Sequence, residues 1–120
     1  MNELNIFLDD ERHPTDVTWI TLPKKEWTIV RNYEEFVTMI KANYVPTFIS
    51  YDHDLADQHY KTQRSYFLYT EKTGYHCAKW MVKYCMKKKI KHPDFSVHSM
   101  NPIGAENIKS YIKNYNESLE

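Results

Sequence analysis

Short apolar stretches recur along this chain, each ending in a polar break and most followed by an amphipathic run. Leu4-Asn5-Ile6-Phe7-Leu8 is apolar and stops abruptly at Asp9-Asp10. Trp27-Thr28-Ile29-Val30-Arg31 is rich in residues that favour strands. Thr47-Phe48-Ile49-Ser50-Tyr51 and Phe95-Ser96-Val97-His98 complete the set of predicted strands. Helices are expected between and after them. Asn32 can cap the first, with Glu35 at capping-box spacing and Phe36, Val37 and Ile40 on one face. A second, over about 75–89, carries a stripe of Cys77, Ala78, Met81, Val82 and Cys85. Lys87, Lys88 and Lys89 close it, where the helix dipole is negative. A third opens with Asn101 as N-cap and Pro102 as its first residue, and buries Ile108, Tyr111, Ile112 and Tyr115.

Residues 13–25 read as an irregular connection. Residues 56–72 form a polar, aromatic loop long enough to carry function. Strands alternating with helices predict a parallel sheet. Right-handed crossovers then favour the order 2-1-3-4. The expectation is an α/β fold: one domain over 1–120, a small three-layer sandwich on a mainly parallel four-stranded sheet.

The 16 Lys and Arg balance the 16 Asp and Glu. A neutral chain is a poor general DNA binder or membrane-surface binder, since both need a basic excess. No apolar run approaches the ~20 residues of a membrane span. The first residues do not read as a secretory leader, so the expected location is the cytoplasm, or a host's cytoplasm if the chain is virus-encoded. Cys77 and Cys85 sit roughly 12 Å apart along a helix, too far for a disulfide. They are expected as reduced core thiols.

The chemistry collects at one rim. In parallel α/β sheets ligands bind outside the carboxyl ends of the strands. The first strand runs into Asp9, Asp10 and Arg12, the second into Arg31, the third into Asp52, His53 and Asp54, and the fourth into His98, Ser99 and Asn101. Asp9, Asp10 and Asp52 would repel one another unless a cation intervenes. They are the expected ligands of a divalent ion, Mg²⁺, Mn²⁺ or Zn²⁺. His53, His98 and Asp54 are the candidate catalytic groups. Arg12, Arg31, Ser99, Asn101 and Gly104 are the candidate phosphate contacts, the last three at a helix start. Asn101 taken alone reads as an ordinary cap. His13, His59, His76 and His92 show no evident partner in the pattern.

The acidic pair after the first strand, Asp52 after the third and Ser99 after the fourth resemble the pocket of response-regulator receiver domains. A fifth strand with its lysine is missing, and Asp52 is followed by His53-Asp54. A closer resemblance is to the cyclic-phosphate-processing receiver-like family. It is carried by Phe7-Leu8-Asp9-Asp10-Glu11-Arg12-His13-Pro14, by Ile49-Ser50-Tyr51-Asp52-His53-Asp54-Leu55, by Thr73-Gly74-Tyr75-His76-Cys77-Ala78-Lys79-Trp80, and by Val97-His98-Ser99-Met100-Asn101-Pro102-Ile103-Gly104-Ala105-Glu106-Asn107-Ile108. That resemblance implies processing of a cyclic or terminal phosphate on a nucleotide or RNA end. Together with the acidic rim it leads to the expectation of a metal-dependent phosphoesterase. The alternatives are a non-catalytic module that sequesters a nucleotide or binds a partner, as in counter-defence, and a phospho-accepting receiver at Asp52.

Overall fold

The computed structural model describes residues 3–55 and 72–119. Strands β1 (Asn5–Leu8), β2 (Thr28–Val30), β3 (Phe48–Tyr51) and β4 (Asp94–Val97) form one sheet in the order β2-β1-β3-β4. Every pairing is parallel. The helices are α1 (Tyr33–Ala42), α2 (Gly74–Lys88) and α3 (Pro102–Ser118). The 13–25 connection contains a short 3-10 turn at Pro14–Asp16. Most of the expected 56–72 loop lies outside the described residues, as does the aromatic surface assigned to it. No helix of the described residues is long and apolar enough to cross a membrane.

Side chains alternate across a strand, and here the two faces of the sheet are covered differently. Ile6, Leu8, Val30, Ile49, Tyr51 and Val97 join one buried cluster with residues of all three helices. The helices pack in series on that face, α1 against α2 and α2 against α3. Cys77 and Cys85 are buried there as free thiols. Phe7 is fully buried outside that cluster. Its ring meets Trp27 edge-on at 6.1 Å and stacks on His98 at 4.4 Å, 5° from parallel. Trp27 in turn meets Phe48 at 5.8 Å. Among the described residues, the contacts to Phe7 on this face come from Trp27 and His98, which lie just outside the strands, and not from a helix.

The helix starts follow their caps. Asn32 accepts the Glu35 amide at 2.8 Å, while the Glu35 carboxylate turns back to the Arg31 amide at 2.7 Å. Asn101 accepts the Gly104 amide at 2.9 Å with Pro102 in the first turn. Thr73 caps α2 by accepting the Tyr75 amide. A Cβ on Gly74 would lie 1.6 Å from the Asp52 carbonyl oxygen. The Gly74 amide donates to the His53 carbonyl at 2.7 Å. Only glycine lets α2 start against the end of β3.

His92, which offers no partner in the sequence pattern, is buried in a polar knot. The Tyr51 hydroxyl lies 2.7 Å from its Nε2, the Pro93 carbonyl lies 2.7 Å from Nδ1, and the His92 amide donates to Asn116 at 2.9 Å. The carbonyl can only accept, so Nδ1 carries the proton and Tyr51 donates to Nε2. Burial lowers the His92 pKa to about 4, against a smaller opposing pull from the Pro93 carbonyl.

Candidate metal and phosphate site

The site is set by strand register. Leu8 pairs with Tyr51 and Tyr51 with Val97, so the next residues along each strand, Asp9, Asp52 and His98, form one further row. Backbone bonds continue the ladder through that row: Asp9 to Val30, Asp52 to Leu8, His98 to Tyr51. Alternation puts the row on the face opposite the helices, above Phe7, Ser50 and Ser96, which are themselves one paired row. All three row residues are buried. Each offers a ligand atom, and these atoms lie within 4.8 Å of one another.

Asp9 is saturated with donors. Its Oδ1 accepts the amides of Glu11 at 2.9 Å and Arg12 at 2.8 Å. Its Oδ2 faces His98 Nε2 at 3.0 Å and the Arg12 guanidinium at 3.5 Å. Burial alone would raise its pKa; the His98 bond and the two amides outweigh that and hold it at about 2. Asp52 goes the other way. Burial, reinforced by the neighbouring Asp9 charge, lifts it to about 6 despite the opposing His98, His53 amide and Arg12. Its Oδ1 accepts the His53 amide at 2.8 Å; among the described residues none donates to Oδ2.

His98 is held at both nitrogens. Nε2 meets Asp9, and Nδ1 lies 2.7 Å from the Ser50 hydroxyl, which is 2.9 Å from that of Ser96. A carboxylate only accepts, so Nε2 carries a proton, and in the neutral ring Ser50 donates to Nδ1. His98 thereby orients Asp9, and it becomes a ligand only by giving up that bond. Ser50 and Ser96 are site residues that sequence reasoning misses; the signal is a pair of small polar residues inside otherwise apolar strands.

A second group stands beside the row at the rim. The His53 ring sits against Gly104, where a Cβ would come 2.4 Å from its Cγ. His53 Nδ1 pairs with Asp54 Oδ1 at 3.0 Å, and Asn101 donates to Asp54 Oδ2 at 3.4 Å. A proton fixed on Nδ1 by the carboxylate leaves Nε2 as the basic nitrogen of the neutral ring. Gly104 and Asn101, expected as phosphate contacts, thus seat and brace His53, and Asn101 is the cap of α3 as well.

The other expected contacts divide. Arg31 donates to the backbone carbonyls of Asp9 at 3.1 Å and Arg12 at 2.8 Å, so it braces the turn after β1. Ser99 accepts the Asn101 amide at 3.1 Å. Arg12 remains at the row, on Asp9, with its side chain 30 % exposed. Asp10 is half-buried next to the row but is not among the three clustered residues.

Two buried carboxylates one strand apart and an Asp52 oxygen without a described donor suit a hard cation. The elevated Asp52 pKa marks the same uncompensated charge. The residues present therefore fit a divalent ion held by Asp52 and by Asp9 Oδ2, where it would take the place of the long 3.5 Å Arg12 contact, with His98 behind Asp9 in the supporting role common at metal sites.

A parallel sheet of order 2-1-3-4 with acids at the ends of β1 and β3 defines a receiver-like domain. The sequence model described as the cyclic-phosphate processing receiver domain matches residues 4–114, and the chain belongs to that family. No curated protein and no solved structure matches it significantly.

Proposed function

We propose that this protein is a metal-assisted phosphoesterase that opens or removes a cyclic or terminal phosphate on a nucleotide or an RNA end. The observation that carries the reading is the register row, which sets two buried carboxylates side by side under a guanidinium in a family named for cyclic-phosphate processing. Asp9 and Asp52 would hold the ion, Mg²⁺, Mn²⁺ or Zn²⁺, with Asp10 at its edge. Once bound, such an ion supplies Lewis-acid polarisation and a more acidic water.

The chain's own groups do the rest. Arg12 reaches from Asp9 to neutralise phosphate charge as it redistributes. His53, its Nδ1 engaged by Asp54, takes or gives a proton at Nε2, on the attacking water or on the leaving oxygen. His98 keeps Asp9 ionised and aimed. The substrate is a phosphorylated small molecule or RNA end.

One observation favours a second reading. The hydrogen bonds that saturate Asp9 and His98 would equally suit a rigid binding pocket that sequesters a nucleotide without turning it over. A phospho-accepting Asp52 is the third. Incubation with 2′,3′-cyclic and 3′,5′-cyclic nucleotides and Mg²⁺, Mn²⁺ or Zn²⁺ separates them. Metal-dependent turnover lost in Asp52→Asn supports the esterase. Tight binding with intact ligand supports sequestration, and acetyl-phosphate labelling of Asp52 supports the receiver.

A further inference from the structure

The 13–25 connection delivers one aromatic residue to the rim. Trp19 is 37 % exposed, an uncommon state for so large an apolar ring. Its position is nonetheless fixed. The indole Nε1 donates to the His98 backbone carbonyl at 2.8 Å, which ties the ring to the end of β4 at the very residue whose imidazole supports Asp9. The Arg12 guanidinium lies over the ring, 5.1 Å from its centroid. The same guanidinium contacts Asp9 at 3.5 Å and the Met100 sulfur at 3.7 Å, and Met100 is 64 % exposed. Arg12 therefore links the acidic row on one side to an exposed indole and thioether on the other.

We propose that Trp19 is the base-stacking residue of the site, with Arg12 as the hinge between phosphate and base. The proposal rests on the cyclic-phosphate reading and adds the subsite that would distinguish a nucleotide from any other phosphate ester. A phosphate drawn to Arg12 leaves its organic portion beside Trp19. A flat, polarisable base gains most from an aromatic surface, and such stacking tolerates any base. The ring is already held by the His98 carbonyl and by Arg12, so little freedom is lost when a base settles on it. Met100 adds a soft, adaptable edge. A purely structural role for Trp19 would need only the bond to His98; it does not explain why the ring stays exposed beside the Arg12 guanidinium, which also contacts Asp9.

The test compares adenosine 2′,3′-cyclic phosphate with glycerol 1,2-cyclic phosphate, which lacks a base, on the full chain with Mn²⁺. The wild type is expected to show a KM about tenfold or more lower for the nucleotide. In Trp19→Ala that ratio collapses towards one, with the loss falling on KM rather than kcat. Trp19→Phe, which keeps an aromatic surface but not the bond to His98, retains most of the ratio. A ratio preserved in Trp19→Ala, or losses of the same size on both compounds, overturns the proposal. If the wild type hydrolyses neither compound, the platform is judged by binding. The Trp19 indole N–H resonance, assigned by its absence in Trp19→Phe, should then shift saturably with the nucleotide and not with the glycerol ester. A resonance indifferent to both, or moved equally by both, overturns it.

Discussion

The row Asp9–Asp52–His98 and the rim group His53–Asp54–Asn101–Gly104 sit side by side, yet they are built on opposite plans. The row is buried and set by strand register, and its hydrogen bonds run down through Ser50 to Ser96. Its geometry cannot change without breaking the sheet. The rim group is carried by a loop and a helix start, with Asp54 exposed, and it is held by a glycine and a single carboxylate. Fixed charges belong where nothing moves, because preorganised charge loses no energy to rearrangement during a reaction. In the proposed esterase the proton carrier is His53, whose Nε2 has no hydrogen-bond partner among the described residues. On that reading the contrast separates what the fold must hold from what the chemistry must exchange.

The sharpest way to break the contrast is at the two glycines. Gly74→Ala drives a Cβ to 1.6 Å from a backbone carbonyl at the end of β3. The expected cost is about 3 kcal/mol or more, read by urea unfolding. Gly104→Ala instead meets a movable side chain, the His53 ring. It should leave stability within about 1 kcal/mol and lower kcat on cyclic phosphate by roughly 100-fold. Equal damage to stability from both would erase the distinction between row and rim.

Charge in the row gives the next effect. Asp52→Asn removes one of two adjacent buried carboxylates, the one whose pKa sits at about 6. Metal-free protein should gain about 2 kcal/mol in chemical unfolding, while metal-dependent turnover is lost. Ser50→Ala leaves His98 Nδ1 without its partner and should cost about 1–2 kcal/mol, with little change in Asp54 or His53.

The most gradual effect is a slope with pH. His92 titrates at about 4 in the fold against an ordinary 6.5. Above pH 6.5 it is neutral whether folded or not. Between 6.5 and 4 the unfolded chain takes up a proton that the fold refuses, so stability falls as pH falls through that window, by about 1 kcal/mol per unit. Subtracting the pH–stability curve of His92→Gln from that of the wild type should isolate this slope. A flat difference would contradict the burial of a neutral imidazole beside Tyr51.

Much of the fold is legible because period-2 and helical patterns are local. The strands, the caps Asn32 and Asn101, and the order 2-1-3-4 all come from short stretches of sequence and the crossover rule. The rim is legible for the same reason, since ligand-facing residues lie just past strand ends. Roles within it are less so. That His98 is engaged by Asp9 and Ser50, that Gly104 faces His53 rather than open space, and that Arg31 braces carbonyls depend on contacts between segments far apart in sequence. Register finds the row: counting one step past Leu8, Tyr51 and Val97 names its members. Little that is local marks Trp19 or His92: the indole bonds the His98 carbonyl 79 positions away, and the His92 ring meets the Tyr51 hydroxyl 41 positions away as well as its neighbour Pro93.

The proposed site has Asp9 and Asp52 together binding a divalent cation at the end of the sheet. Calorimetric titration of Mn²⁺ into the full chain, with Asp52→Asn and Asp9→Asn alongside, tests it most directly. One ion per chain is expected, bound at least tenfold more weakly by either variant. Binding that is absent from the wild type, or that survives undiminished in both variants, would contradict it.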